Sequence, residues 1–153
     1  MVPGFFTPYR YKKTRAKRPE APSFPSFKED EGLTGTVLGK DASDLEERFA
    51  RALNTYGVDF VFQFFVETAH SLPYQEKQVD FVVYSGQPEP VEIDGLWVHK
   101  TQAQREYDRE RDAQVDEALA PHGFAPLRRI RDADAALLAT QDGANGVVDT
   151  YFA

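Results

Sequence analysis

The run Val58-Asp59-Phe60-Val61-Phe62-Gln63-Phe64-Phe65-Val66-Glu67 constrains the fold more than any other stretch. It is the most apolar segment of the chain, and Phe and Val fill odd and even positions alike. Successive side chains of a strand point to opposite faces. A strand of this composition is therefore covered on both faces, as in an α/β protein. Gln63 is the one polar residue in its middle. A buried amide needs partners, so Gln63 is either a structural hydrogen-bonder or a residue at the edge of a site.

Downstream, Val79-Asp80-Phe81-Val82-Val83-Tyr84 reads as a strand of β-branched and aromatic residues. Ser85-Gly86-Gln87-Pro88-Glu89-Pro90 is dense in turn formers and closes it. Pro90 to Gly95 is a further strand, with Glu92 and Asp94 on one face and Val91 and Ile93 on the other. An antiparallel hairpin brings Asp80 beside Glu92. Carboxylates gathered on one small surface repel each other unless a cation sits among them. Hard oxygen ligands suit Mg²⁺ or Mn²⁺. Removing any one of these charges is expected to leave stability unchanged or raised, because it relieves repulsion.

The remaining elements surround this sheet. Ser43-Asp44-Leu45-Glu46 is a capping box that starts a helix from Asp44 to about Asn54, ending before Gly57. Phe49, Ala50 and Leu53 place Glu46 on the inward stripe, as capping partner, site residue or both, with Glu47 pointing elsewhere. A long helix follows from about Gln102 to Leu119, with Ala103, Tyr107, Val115 and Ala118 as its apolar line. Its charges, Arg105, Asp108, Arg109, Asp112 and Asp116, are spaced for pairing along a solvated face. His122-Gly123 ends it, and Ala125 to Ile130 forms a last strand. A short helix over Asp132 to Thr140 is expected, and Val147 to Ala153 carries no clear period.

Charge divides the chain. Residues 1–40 hold eight of its 18 Lys and Arg and four of its 25 Asp and Glu, leaving ten basic against 21 acidic residues in the remainder. Arg10, Lys12, Lys13, Arg15, Lys17 and Arg18 fall within nine positions, interleaved with Tyr9 and Tyr11. Such an arm suits nucleic acid, since cations meet phosphate and rings stack on bases. A solubilising tail, or an arm that docks on a protein partner, has the same composition. Pro22, Phe24, Pro25 and Phe27 extend the arm without any helix or strand period. The expected division is an extended basic, Pro-rich arm over 1–40 and one folded domain over 41–153. The absence of Cys removes disulfides, thiolate catalysis and Cys-ligated zinc. No membrane-length apolar run and no secretory pattern at Met1-Val2-Pro3-Gly4-Phe5-Phe6 are present, so a cytoplasmic or virion location is expected.

The order helix, strand, strand, strand, helix, strand, with an inward acid on the first helix and acids on the second and third strands, resembles the PD-(D/E)XK nuclease superfamily. More narrowly it is similar to the very-short-patch-repair-like branch. The residues that carry the resemblance are Glu46, Gln63, Asp80 in Val-Asp-Phe, Glu92-Ile93-Asp94-Gly95, His99, and Arg105, Asp108 and Asp112 on the long helix, over roughly residues 43–131. It implies a restriction-endonuclease-like mixed sheet flanked by helices and a Mg²⁺- or Mn²⁺-dependent DNA endonuclease, of phage or mobile-element type. Asp80, Glu92 and Glu46 would hold the metal, which polarises a phosphodiester and activates water. Asp94 and His99 would complete the catalytic set. Asp94 occupies the position where the superfamily carries Lys, so Lys77, His99 or a metal would supply the missing group. The partner implied is DNA, held also by the basic arm. The alternative is a catalytically degenerate nuclease fold whose arm threads into a larger assembly such as a phage particle.

Overall fold

The structure, a computed structural model, describes residues 32–67, 76–94 and 101–153. A two-stranded hairpin, β1 (Thr36–Val37) and β2 (Lys40–Asp41), precedes helix α1 (Asp44–Thr55). Strands β3 (Asp59–Glu67), β4 (Glu76–Tyr84) and β5 (Pro88–Ile93) follow. Helix α2 (Gln102–Leu119) and a 3₁₀ turn (Ala120–His122) lead to β6 (Arg128–Ile130), then α3 (Asp132–Leu137) and α4 (Gln141–Tyr151). The four-stranded sheet has the order β3-β4-β5-β6. Its first pairs are antiparallel, and β5 and β6 are parallel. The chain is thus a mixed α/β protein with a mixed sheet flanked by helices. The parallel step needs a crossover, which α2 supplies.

Both faces of the sheet are covered. On one side Phe60, Phe62, Phe81, Val83 and Val91 pack with Phe49 and Leu53 of α1 and Val147 and Val148 of α4. On the other, Phe64, Val66, Val79 and Val82 pack with Val115 and Leu119 of α2. The membership changes along one strand: Phe60 and Phe62 face the first side, Phe64 and Val66 the second. Residues two apart on a regular strand share a face, so the backbone turns over between Phe62 and Phe64. Gln63 lies there with φ of 59°. In β4 the same change falls between Val79 and Phe81, at Asp80. Phe62 pairs with Phe81 and Phe64 with Val79, so Gln63 and Asp80 face each other across the interruption. A left-handed non-glycine residue costs about 1–3 kcal/mol and persists where the surroundings hold it. Here the Gln63 amide donates to the Asp41 carbonyl at 3.3 Å, and Lys40 Nζ donates to the Phe62 carbonyl at 3.2 Å.

Two expectations differ from what is found. Residues 32–40, expected as the end of the arm, belong to the folded body: Val37 is buried in the first core, and Thr34 and Gly35 bond to Glu47. Residues 1–31, with the basic cluster Arg10 to Arg18, lie outside the described residues. The C-terminal end is a full helix rather than an uncertain tail. Gly143 and Gly146 hide α4 in the sequence, since glycine weakens a helix interior. Packing of Ala144, Val147, Val148 and Phe152 into the first core overrides that. A Cβ placed on Gly143 would stand 1.9 Å from the Leu137 carbonyl oxygen, so glycine lets α4 press on the end of α3. Gly143→Ala should therefore lower stability by about 1–3 kcal/mol despite its better helix propensity, while Gly146→Ala, with open space around it, should raise it. Paired thermal melts of the two variants read this difference in sign.

Candidate active site

The site forms where β4 and β5 part. Their ladder runs from Tyr84–Pro88 to Phe81–Val91 and ends there. At the next position the side chains replace the backbone partners. The Asp80 N–H donates to Glu92 Oε2 at 3.1 Å, and the Ile93 N–H donates to Asp80 Oδ2 at 2.8 Å. Strand alternation and the intervening turn therefore do bring Asp80 beside Glu92. Burial first, then the Glu92 charge, push the Asp80 carboxyl up to about 8. The Ile93 N–H opposes the rise, while a hydrogen bond with the Glu92 side chain and the Glu46 charge add to it.

Arginines from neighbouring elements enclose the pair. Arg111 of α2 donates from Nη1 to Glu92 Oε1 at 2.8 Å and from Nη2 to the Gln78 carbonyl at 2.7 Å. Arg129 of β6 stands opposite Glu92 in register. It grips Asp112 through Nε and Nη2 at 2.7 and 2.8 Å, and Asp94 through Nη1 at 2.7 Å. The Asp112 hydrogen bonds first, with the charges of Asp112, Asp94 and Glu92, hold Arg129 protonated beyond its ordinary range against the burial that opposes this. Asp116 accepts the Leu127 N–H at 2.7 Å and ties α2 to the approach of β6. Burial raises the Asp116 carboxyl.

The predicted residues are thus distributed unevenly. Asp80 and Glu92 converge. Asp94 lies on the same side but is committed to Arg129. Glu46 is half-buried, closes the capping box through the Ser43 N–H at 2.8 Å, and acts on Asp80 through its charge. The acid buried on α1 is Glu47, 3% exposed, and not the outward residue expected. Its carboxylate accepts the Thr34 and Gly35 N–H groups and the Thr34 hydroxyl and meets Arg51 at 3.2 Å. Burial alone would raise its pKa; those donors and the Arg51 charge outweigh it and hold it below the ordinary range. Glu47 is buried because α1 is covered by the hairpin as well as by the sheet and α4, which widens its inward face beyond Phe49, Ala50 and Leu53 to include Glu47 and Asn54.

On α2 the inward side is also rotated from expectation. Tyr107 is exposed, and Arg111, Asp112, Val115, Asp116 and Leu119 face the sheet. Asp112 makes its hydrogen bonds to Arg129 of β6, with only a longer 3.9 Å contact to Arg111 on its own helix. Arg111 and Arg129 escaped the sequence argument. Arg111 stands four residues before Val115 and eight before Leu119, so taking those two as anchors would have placed it inward. His99, Gly95 and the Lys77 side chain lie outside the described residues.

Among the described residues, no three His, Cys, Asp or Glu form a group ready to hold a metal ion. Mg²⁺ asks for less, since one or two carboxylates with water and substrate oxygens suffice. Asp80 and Glu92 fit that donor set.

The raised Asp80 pKa has a direction in stability. Between the unfolded value of 3.8 and about 8 the folded protein holds a proton that the unfolded chain has released. Stability then falls as pH rises through that window. Melting temperature should decline from about pH 5 to about pH 8 in the wild type, and Asp80→Asn should flatten the decline, because the amide still accepts the Ile93 N–H without ionising.

No protein-family model matches the chain, and no curated protein matches it. Among solved structures, the crystal structure of "Protein of Unknown Function AF1548" is similar, with 18% identity and a TM-score of 0.40. The match covers 57% of this chain and 46% of that one, so the chain spans less than half of that protein. No helix among the described residues is long and apolar enough to cross a membrane.

Proposed function

We propose that the protein is a divalent-metal-dependent phosphodiesterase acting on DNA, an endonuclease of the restriction-endonuclease-like type. One observation carries the reading: Asp80 and Glu92 meet where two strands part, and the Asp80 carboxyl is pushed up to about 8. Four carboxyl groups, those of Asp80, Glu92, Asp94 and Asp112, face two guanidiniums, those of Arg111 and Arg129. Among these described side chains the balance is one unit negative even with Asp80 protonated, which favours a further cation. Asp80 and Glu92 would hold Mg²⁺ or Mn²⁺, and Glu46, whose charge acts on Asp80, would orient water. A bound divalent cation supplies polarisation of the phosphodiester and activation of water.

In this reading Asp94 takes the position of the absent Lys, and Arg129, 2.7 Å from Asp94, would bring positive charge to the site. The arm carrying Arg10, Lys12, Lys13, Arg15, Lys17 and Arg18 would add phosphate contacts that place DNA without reading its sequence. The test is direct: supercoiled, linear and single-stranded DNA incubated with Mg²⁺ or Mn²⁺, with EDTA as the control. Nicking or cutting that EDTA abolishes supports the reading.

A second reading has its own support. Glu92 and Asp94 are both already paired with arginines, as they would be in a degenerate site kept only for packing. In that case the fold is a structural part of a larger assembly, such as a phage particle, reached by the arm. No cutting of any DNA form, with a stable hold on such an assembly, decides for it.

A further inference from the structure

We propose that Arg111 is the substrate-phosphate cation of this site, held on Glu92 until a divalent cation takes that carboxylate. The inference rests on the two-carboxylate reading of Asp80 and Glu92 given above. Three features of the geometry carry it.

First, Arg111 and a metal compete for the same atom. Glu92 Oε2 accepts the Asp80 N–H, and Glu92 Oε1 accepts Arg111 Nη1. A cation bound through Glu92 Oε1 would compete with the Arg111 contact, whose donor sits on a side chain, whereas the Asp80 N–H is fixed in the backbone. Second, release does not strand the guanidinium. Its Nη2 is held by the Gln78 carbonyl, beyond the end of the β4–β5 ladder, and the Asp112 carboxylate lies 3.9 Å from Nη1. Third, Arg111 has capacity to spare. A guanidinium carries five N–H donors. Two of them make the contacts just named, and the others make no hydrogen bond among the described residues. Its planar fork matches a phosphate, and its side chain remains 17% exposed toward solvent.

Arg129 is the internal contrast. All three of its nitrogens are engaged by Asp112 and Asp94. Three of its five donors are thus in use against two for Arg111, and its Nε is engaged where that of Arg111 makes no hydrogen bond among the described residues, although both arginines are similarly buried.

The experiment measures Mn²⁺ affinity by titration calorimetry and affinity for a fluorescein-labelled DNA duplex by anisotropy with Mn²⁺ present. It uses the full chain as wild type, Arg111→Gln and Arg111→Lys. If Glu92 is free of Arg111 only about a tenth of the time, removing the competitor tightens apparent metal binding roughly tenfold. Arg111→Gln should show that gain together with a loss of duplex affinity of similar size. Arg111→Lys, which keeps the charge and should keep the fold if the Gln variant does not, should fall between on both measures. An unchanged or weaker Mn²⁺ affinity in both variants, or unchanged duplex affinity, overturns the proposal and makes Arg111 a packing pin. Failure of the nuclease reading is separate. A wild type that cuts no DNA, with both affinities shifting as stated, removes that reading and leaves the Arg111 role standing. A wild type that cuts, with neither affinity shifted by either variant, does the reverse.

Discussion

Asp80→Asn and Glu92→Gln should each reduce metal-dependent DNA cutting by about a hundredfold or more, the size of effect expected when a charge-stabilising group is removed from a reaction centre. The stability of the two variants should diverge. Asp80→Asn deletes an ionisation that burial and Glu92 both oppose, and its amide oxygen still accepts the Ile93 N–H. Its melting temperature should match or exceed that of the wild type above about pH 7, below the value near 8 at which Asp80 ionises. Glu92→Gln weakens the contact with Arg111 and should melt lower, contrary to the expectation from charge repulsion alone, because Glu92 is already paired with Arg111 at 2.8 Å. Asp94→Asn belongs in the same series. Asp94 is committed to Arg129, so its loss should reduce cutting far less than the loss of Asp80. Cutting that survives Asp80→Asn at wild-type rate would rule out the pair as the metal site. An Asp94→Asn variant as inactive as Asp80→Asn would mean that Asp94 leaves Arg129 to serve as a ligand.

The parts of this site that follow from local rules were readable from the sequence. Alternation along β5, the Gly- and Pro-rich turn and the β-branched run of β4 suffice to put Asp80 next to Glu92. The capping box at Ser43 and Glu46 starts α1 as expected, and α2 spans the residues its pattern implies. What was not readable depends on contacts distant in sequence. Nothing local marks Gln63 as left-handed; only the change of face in both β3 and β4 makes it so. Glu47 resembles a solvated acid until the hairpin segment at Thr34 and Gly35 folds over it. Helix α4 contains two glycines that argue against it, and its burial against α1 decides otherwise.

The charged residues of α2 show the same limit in another way. A run of Arg, Asp and Glu along a helix satisfies the pattern of exposed i,i+4 pairs, and the first half of α2, around Tyr107, is exposed. The second half turns toward the sheet because Val115 and Leu119 are anchored there. Arg111, Asp112 and Asp116 are carried inward with them, and each finds a partner on another element. The periodicity of apolar residues located the helix, but with so few apolar residues it did not fix the rotation.

The largest loss of stability should come from Arg129→Ala. Its guanidinium bridges Asp94 and Asp112, and the side chains of all three are less than a quarter exposed. Removing it takes the closest cation from both carboxylates beside Glu92, leaving Asp112 only the longer 3.9 Å contact with Arg111. Removing one partner of a buried ion pair costs about 3–5 kcal/mol. For a chain of this length that corresponds to a drop in melting temperature of roughly 10 °C or more. The penalty arises from the stranded carboxylates and not from the loss of an attraction, which a second variant tests. Arg129→Met with Asp112→Leu and Asp94→Asn removes the charges together, and should recover most of the loss, because a buried ion cluster replaced by apolar groups of similar volume is often neutral or better. A melting temperature for Arg129→Ala within about 2 °C of the wild type, less than 1 kcal/mol by the same conversion, would show that water screens the cluster. The inward rotation of α2 would then rest on Val115 and Leu119 alone.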